Sequence, residues 1–311
     1  MAINKMMRAA LKALSYPDLD LKNNYKLART FEKISHPPLL PVLYKRWDHR
    51  IVVDEHEVPV RLYPFDERVR GLPVLLFFHG GGWVTGDIDS YDRVCHDLAV
   101  RTKHLVVSVD YRLAPEHPFP AGLQDCYAIT RALMLNFELL DTNRITLIGD
   151  SAGANLAAAV SLMARDRGEF DVQKQILLYP AVYNDHSARS PYRSVVENGT
   201  DYLLTSKRVC DFMDLYESSP ADRKNPYFAP ILAKDFHRLP DTLVITAEYD
   251  PLRDEGEDFA RRLAEAGDSY VELHRMKDAL HGFFRLPERY PHVKRTYRAI
   301  RHFLHREVRE R

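Results

Sequence analysis

Gly149-Asp150-Ser151-Ala152-Gly153 lies where the apolar run RITLIG gives way to the helical text ANLAAAVSLMA. A Gly-x-Ser-x-Gly at such a junction turns the chain sharply from strand to helix, because its small residues tolerate close backbone approach while the serine projects from the turn. Alone, the pentapeptide is as readily a turn that caps a helix; its setting between strand and helix makes Ser151 a candidate nucleophile. The helix start beneath it leaves N–H groups without helical partners, so Ala152 N–H can face developing negative charge. Upstream, His79-Gly80-Gly81-Gly82 directly follows another apolar run. Acyl transfer builds an oxyanion, and residues without side chains let N–H groups approach it closely, which adds Gly81 and Gly82 to Ala152 as oxyanion-hole candidates. A phosphate loop would read G-x-G-x-x-G or run into Lys-Ser/Thr, and this stretch does neither. His79, ahead of the glycines, reads as a residue that orients the loop.

A nucleophilic serine needs a base, and the chain has 14 histidines. On a strand-turn-helix nucleophile the partners follow in the order Ser, acid, His. His274, His281, His292, His302 and His305 come after the last plausible acid. His274 falls inside an apolar run, and the last three fall in or near a terminal helix. His281, in Ala279-Leu280-His281-Gly282-Phe283, alone sits in a loop after the final strand. The acid should leave the end of the preceding strand, TLVITA, where the text is Glu248-Tyr249-Asp250-Pro251-Leu252-Arg253-Asp254. Asp250 precedes the proline in the loop and can accept the His281 Nδ1–H. Asp254 reads as a first-turn helix residue favoured by the helix dipole. Glu248 and Asp254 stay open as neighbouring alternatives, whereas Asp110 precedes the serine and fails the order.

The elements that must position these groups follow from periodicity. Short apolar runs bounded by Gly, Pro and Asp read as strands: IVVD, VPVRLYP, PVLLFFH (73–79), HLVVSVD (104–110), RITLIG (144–149), QILLYP (175–180), TLVITA (242–247) and YVELHRM (270–276). Helical stretches at 89–101, 121–139, 152–166, 254–266 and 293–309 alternate with the later runs. The pattern predicts an α/β fold: a doubly wound, mostly parallel eight-stranded sheet, its first two runs pairing as a hairpin. From about Val182 to Pro240 no strand is predicted, and so long an interruption is usually functional, here a helical lid. The first ~45 residues are its natural second half, with an amphipathic helix carrying Met6, Ala10, Leu11 and Leu14 on one face. The expected division is therefore 1–45, N-terminal part of the helical cap; 46–182, first part of the core; 183–240, cap insertion; and 241–311, second part of the core.

Composition narrows the function classes. The chain has 311 residues, 45% of them apolar and 28% charged, as expected of a globular protein with a sizeable core. Lys plus Arg equals Asp plus Glu, 44 against 44, so no excess charge draws the chain to nucleic acid or an anionic membrane. A small-molecule partner is expected. Cys95, Cys126 and Cys210 are odd in number and lack metal-ligand spacing, which predicts no metal and fits a reducing compartment. Lys5, Arg8 and Lys12 interrupt the first apolar residues, and no stretch reaches ~18 apolar residues, so the expected location is cytoplasmic, without a membrane span.

HGGGW at 79–83, DYRLAPEHPFPAG at 110–122, GDSAGAN at 149–155, AEYDPLRDEG at 247–256 and LHGF at 280–283 occur in this order. On these motifs, which lie within residues 73–285, the chain resembles the bacterial hormone-sensitive-lipase-like (family IV) α/β-hydrolases, in particular their acetyl-esterase-like members. The resemblance implies an α/β-hydrolase fold with a helical cap, Ser151, Asp250 and His281 as catalytic triad, and Gly81, Gly82 and Ala152 N–H groups as oxyanion hole. It implies that DYRLAPEHPFP is a scaffold loop, and that no cofactor is needed. One departure is Ala154, where the family commonly has glycine; alanine is the best helix former, so the change should be harmless. The implied activity is a serine carboxylesterase acting on short-acyl esters, acetyl to about hexanoyl. An amidase or N-deacetylase would use the same triad, and a non-catalytic ligand-binding protein on the same fold is the rival of a different class, although such proteins usually lose a triad member. The resemblance also allows a homodimer through an edge strand, YVELHRM being the candidate.

Overall fold

The run PVLLFFH forms strand β3 (Val74–Phe78), and all of its residues are buried. A strand reads as continuously apolar when helices cover both sheet faces. Successive side chains alternate, so Leu76 and Phe78 enter one core and Leu75 and Phe77 the other. The computed structural model describes residues 20–38, 45–53, 56–66, 71–136 and 144–306. The predicted helix with Met6, Ala10, Leu11 and Leu14 lies outside them, as do 137–139 and 307–309 at the ends of two predicted helices.

Strands β1 (Trp47–Val53) and β2 (His56–Tyr63) form the expected antiparallel hairpin. The latter pairs antiparallel with β4 (Leu105–Val109), and from there β4, β3, β5 (Ile145–Asp150), β6 (Lys174–Leu178), β7 (Asp241–Tyr249) and β8 (Val271–Leu280) are parallel. The sheet order is β1-β2-β4-β3-β5-β6-β7-β8, the eight-stranded, mostly parallel arrangement that the sequence predicts. Helices α2 (Asp92–Thr102) and α8 (Pro291–Leu304) cover one face through Val94, Leu98, Ile300 and Phe303. Helices α3 (Ala121–Asn136), α4 (Ala152–Arg167) and α7 (Arg253–Ala266) cover the other through Leu123, Leu156 and Phe259.

The last strand runs on past the apolar run 270–276 to Leu280, so His281 leaves the strand end directly. Lys277 and Asp278 break the apolar pattern, but Tyr249 and Leu280 still pair across an irregularity in the β7–β8 ladder, and Asp278 N–H donates to the Glu248 carboxylate at 2.6 Å. Between Val182 and Pro240 the described residues contain no strand. They form α5 (Arg193–Glu197), α6 (Ser206–Tyr216) and the short 3-10 turns Asp222–Lys224 and Pro230–Leu232. Helix α1 (Leu21–Ser35) packs on α6. Arg29 also ties it to the body, donating to the carbonyls of Val84 (2.7 Å) and Ala114 (2.8 Å) and pairing with Glu116.

Strand order reverses between β3 and β5, because β4 is added on one side of β3 and β5 on the other. The crevice at the C-terminal ends of strands at such a point is where open α/β sheets hold ligands. HGGG follows β3 and GDSAG follows β5. The join is tight: a Cβ on Gly153 would lie 1.9 Å from the Phe78 carbonyl oxygen, and one on Gly149 would lie 2.3 Å from the Gly153 backbone. Gly153→Ala is expected to lower stability by more than about 2 kcal/mol, since displacing backbone outweighs the ~1 kcal/mol that alanine gains in a helix. A urea-unfolding midpoint equal to wild type would show that α4 can move off the sheet freely.

Candidate active site

Ser151 occupies the sharp turn between β5 and α4 with φ 55° and ψ −118°, a conformation that is uncommon for a residue with a side chain. Holding it costs about 1–3 kcal/mol, which the surroundings must supply. Ser151 N–H donates to the Leu178 carbonyl at 2.8 Å, and its own carbonyl accepts Asn155 N–H at 3.1 Å. Asn155 is buried, and its side chain donates to the carbonyls of Ala181 (2.8 Å) and Phe228 (2.9 Å), which fixes the first turn of α4 to the chain beyond β6.

His281 Nε2 lies 2.9 Å from Ser151 Oγ, and Nδ1 lies 2.7 Å from Asp250 Oδ2. Asp250 is fully buried, and its other oxygen accepts Leu252 N–H at 2.9 Å. A carboxylate takes the Nδ1 proton as its partner, which leaves Nε2 free to accept from the serine hydroxyl. The neighbouring acids have other partners. Glu248 accepts Asp278 N–H, as above, and Asp254 accepts Ser194 N–H at 2.8 Å and Arg253 Nε–H at 2.8 Å. Asp110 accepts Ile88 N–H at 3.4 Å. Of the rejected histidines, His274 meets Glu272 at 2.5 Å, His292 donates to the Lys277 carbonyl at 2.8 Å, and His302 faces Glu272 at 3.7 Å.

The glycine loop requires its glycines. Gly81 and Gly82 have φ +123° and +61°, and a Cβ would meet the Thr85 carbonyl oxygen at 2.1 Å or the Phe212 ring at 2.3 Å. Among the described residues their N–H groups, and that of Ala152 at the head of α4, have no backbone acceptor. His79 is buried, stacks on Tyr111 with ring centroids 4.3 Å apart, and donates from Nδ1 to the Gly80 carbonyl at 2.8 Å, the loop-orienting place expected of it. The DYRLAPEHPFP segment braces this loop: Tyr111 O–H donates to the His79 carbonyl (2.7 Å), Ala114 N–H to the Trp83 carbonyl (2.9 Å), and Arg112 is anchored on buried Asp125.

Sequence reasoning missed two buried carboxylates. Asp150, inside the serine motif, accepts Gly80 N–H at 2.8 Å and so ties the serine turn to the glycine loop. Burial pushes its carboxyl above the usual range. Glu255 accepts the N–H groups of Val182 (2.8 Å) and Tyr183 (3.1 Å) and meets buried His186 at 2.5 Å, holding the chain as it leaves β6. The sequence carried no signal for either, since Asp150 stands beside the serine in a polar turn and Glu255 lies in the charged helix start Arg253-Asp254-Glu255-Gly256-Glu257-Asp258. Among the described residues no group of three or more His, Cys, Asp or Glu is placed to hold a metal ion, and no helix is long and apolar enough to cross a membrane. Cys95, Cys126 and Cys210 form no disulfide.

The sheet with its switch-point serine is that of an α/β-hydrolase, and residues 75–285 match a family described as alpha/beta hydrolase fold. The chain belongs to this family, in its hormone-sensitive-lipase-like branch. It is 38% identical over 244 residues to an arylesterase of Saccharolobus solfataricus, covering 77% of each chain. It is 38% identical over 264 residues to carboxylesterase NlhH of Mycobacterium tuberculosis, covering 82% of this chain and 80% of that one. A hyperthermophilic esterase of the archaeon Pyrobaculum calidifontis superposes with a TM-score of 0.83 at 36% identity over 98% of both chains.

Glu255→Ala would strand two N–H groups and a buried histidine. Unfolding in denaturant is expected to show a loss of about 3–5 kcal/mol, the cost of breaking one side of a buried pair. A loss under about 1 kcal/mol would mean that water replaces the carboxylate.

Proposed function

We infer that the protein is a serine carboxylesterase acting on short-acyl esters through a Ser151–His281–Asp250 triad. The observation that carries this reading is the continuous chain of hydrogen bonds from Asp250 through His281 to Ser151, 2.7 Å and then 2.9 Å, at the sheet's switch point. The names of its relatives, arylesterase, carboxylesterase and ethyl acetate hydrolase, support an ester as substrate.

In the mechanism, His281 Nε2 takes the Ser151 proton as Oγ attacks the ester carbonyl carbon. The carbonyl oxygen becomes an oxyanion, and the N–H groups of Gly81, Gly82 and Ala152 donate to it; each such donor typically contributes ~2.7–4 kcal/mol to the transition state. Asp250 holds Nδ1–H and stabilises the imidazolium. Collapse breaks the bond to the alkoxy oxygen, which leaves as alcohol with the proton from Nε2. Water, deprotonated by Nε2, then attacks the acyl-enzyme, and the acid departs as Ser151 regains its proton.

Helix α1 and the segment 183–240 serve as the cap in this reading. Phe212 of α6, its ring seated against Gly82, closes space beside the oxyanion donors and supports the preference for acetyl to about hexanoyl chains. The edge strand β8 is the candidate surface for a homodimer.

Ser151→Ala is expected to abolish hydrolysis of p-nitrophenyl acetate with the fold intact by circular dichroism, and Asp250→Asn to lower kcat about 10⁴-fold by favouring the wrong imidazole tautomer. Wild-type-like turnover in either variant would refute the triad. In an acyl-chain series, Phe212→Ala should move the best substrate toward longer chains; an unchanged profile would place the acyl group elsewhere.

A further inference from the structure

Asp150, beside the nucleophile, is buried and surrounded by donors. Its Oδ1 accepts Gly80 N–H at 2.8 Å, and its Oδ2 accepts the hydroxyls of Tyr91 at 3.0 Å and Tyr179 at 3.2 Å. Three donors converging on one carboxyl suit its ionised form, which only accepts. A buried negative charge needs a nearby positive one. The cation that acts on it is Arg285, four residues beyond His281, which reaches it across Tyr91: its guanidinium lies over the Tyr91 ring, 4.4 Å from the centroid.

Arg285 is itself mostly buried. One of its nitrogens donates to the Ser90 carbonyl at 3.3 Å, and another pairs with the Glu32 carboxylate of α1. A line of contacts therefore runs from Glu32 through Arg285 and Tyr91 to Asp150, and from there to the glycine loop. The far end is close-packed. A Cβ at Gly80 would lie 2.8 Å from both the Asp150 carbonyl oxygen and the Tyr91 hydroxyl, and Gly80 N–H is bonded to Asp150, so both residues bear directly on the loop that carries Gly81 and Gly82.

We propose that Arg285 is a positioning residue for the esterase reaction: held by Glu32 and acting through Tyr91 and Asp150, it couples the seating of α1 to the placement of the oxyanion donors. The proposal rests on the carboxylesterase reading. It gives α1 a role in rate, beyond covering the site.

The charge balance gives the proposal a pH signature. The groups facing Asp150 are Tyr91, Tyr179, Arg285 and His281, with Cys95 of α2 and Tyr111 beyond β4 farther out. Burial pushes the tyrosines and Cys95 well up, so they stay neutral at working pH. Glu32 of α1 and His36 just past its end face Arg285, and burial and the Arg285 charge hold His36 down. Burial already raises the Asp150 carboxyl, and the Arg285 charge opposes that rise. Without that cation Asp150 takes up a proton at higher pH, so the acid-side fall in kcat should move upward.

The test compares wild type, Arg285→Gln, Arg285→Lys and Glu32→Gln on p-nitrophenyl acetate across pH. Misplaced donors should cost Arg285→Gln about 10–100-fold in kcat, as sub-ångström to ångström displacements do, with KM within about twofold. Its acid limb should move upward in pH, Arg285→Lys should recover much of the loss, and Glu32→Gln, which keeps the cation but unties it from α1, should lower kcat by less. The proposal is overturned if Arg285→Gln keeps kcat within about twofold and the same pH profile, or if it melts earlier with kcat unchanged. Should Arg285→Gln fail to fold, Arg285→Lys and Glu32→Gln decide by the same readouts. Fluorophosphonate labelling of wild-type Ser151 is the separate control: its failure would count against the esterase reading, whereas normal labelling with an indifferent Arg285 would sink only the coupling.

Discussion

The carbonyl oxygen of Phe78 at the end of β3 leaves no space for a side chain on Gly153, and much of the site's geometry follows from that close approach. With the first turn of α4 seated on the strand ends, Ser151 must take a positive φ to pass from β5 into the helix, and its side chain is thrown outward. The same contact places the head of α4 beside the loop that leaves β3. Two glycine-rich turns thus share one crevice because the sheet changes direction between their strands. The glycines are there for lack of room as much as for flexibility.

Buried carboxylates then hold what the glycines allow. Asp125 anchors Arg112, Asp150 the glycine loop, Asp250 the imidazole, and Glu255 the chain beyond β6. Each joins segments far apart in sequence, and each accepts from more than one donor. Removing water from a carboxylate is costly unless such donors replace it, so these positions specify their partners strictly. The many exposed ion pairs, such as Arg193–Glu197 or Arg50–Glu57, carry little of this burden.

Over the crevice, aromatic packing does what charge does beneath it. Trp83, just past the glycine loop, stacks on Tyr216 of α6 with centroids 4.5 Å apart, and Phe119 and Phe228 close the cluster. The glycine loop therefore meets aromatic side chains on one side, the Trp83 cluster and Phe212, and buried charge on the other, through Asp150. Helix α1 reaches both sides, packing on α6 and meeting Arg285.

The eight-stranded α/β sheet, the two glycine motifs and the chain order of Ser151, Asp250 and His281 were legible in the sequence, because each is a local pattern: apolar runs of strand length, small residues at strand ends, an acid before a proline. Asp250 was preferred to Glu248 and Asp254 from its place before the proline, and only the fold shows that it faces His281 while the other two hold backbone N–H groups. The run of β8 to Leu280 was hidden because pairing with Tyr249, not apolar periodicity, extends it. The partnership of Asp150 with Gly80, and of Arg285 with Glu32, was invisible for the same reason. Those partners are 70 and 253 residues apart, and neither the burial of these charges nor the partner each must then find is set by local pattern; the tertiary fold decides both.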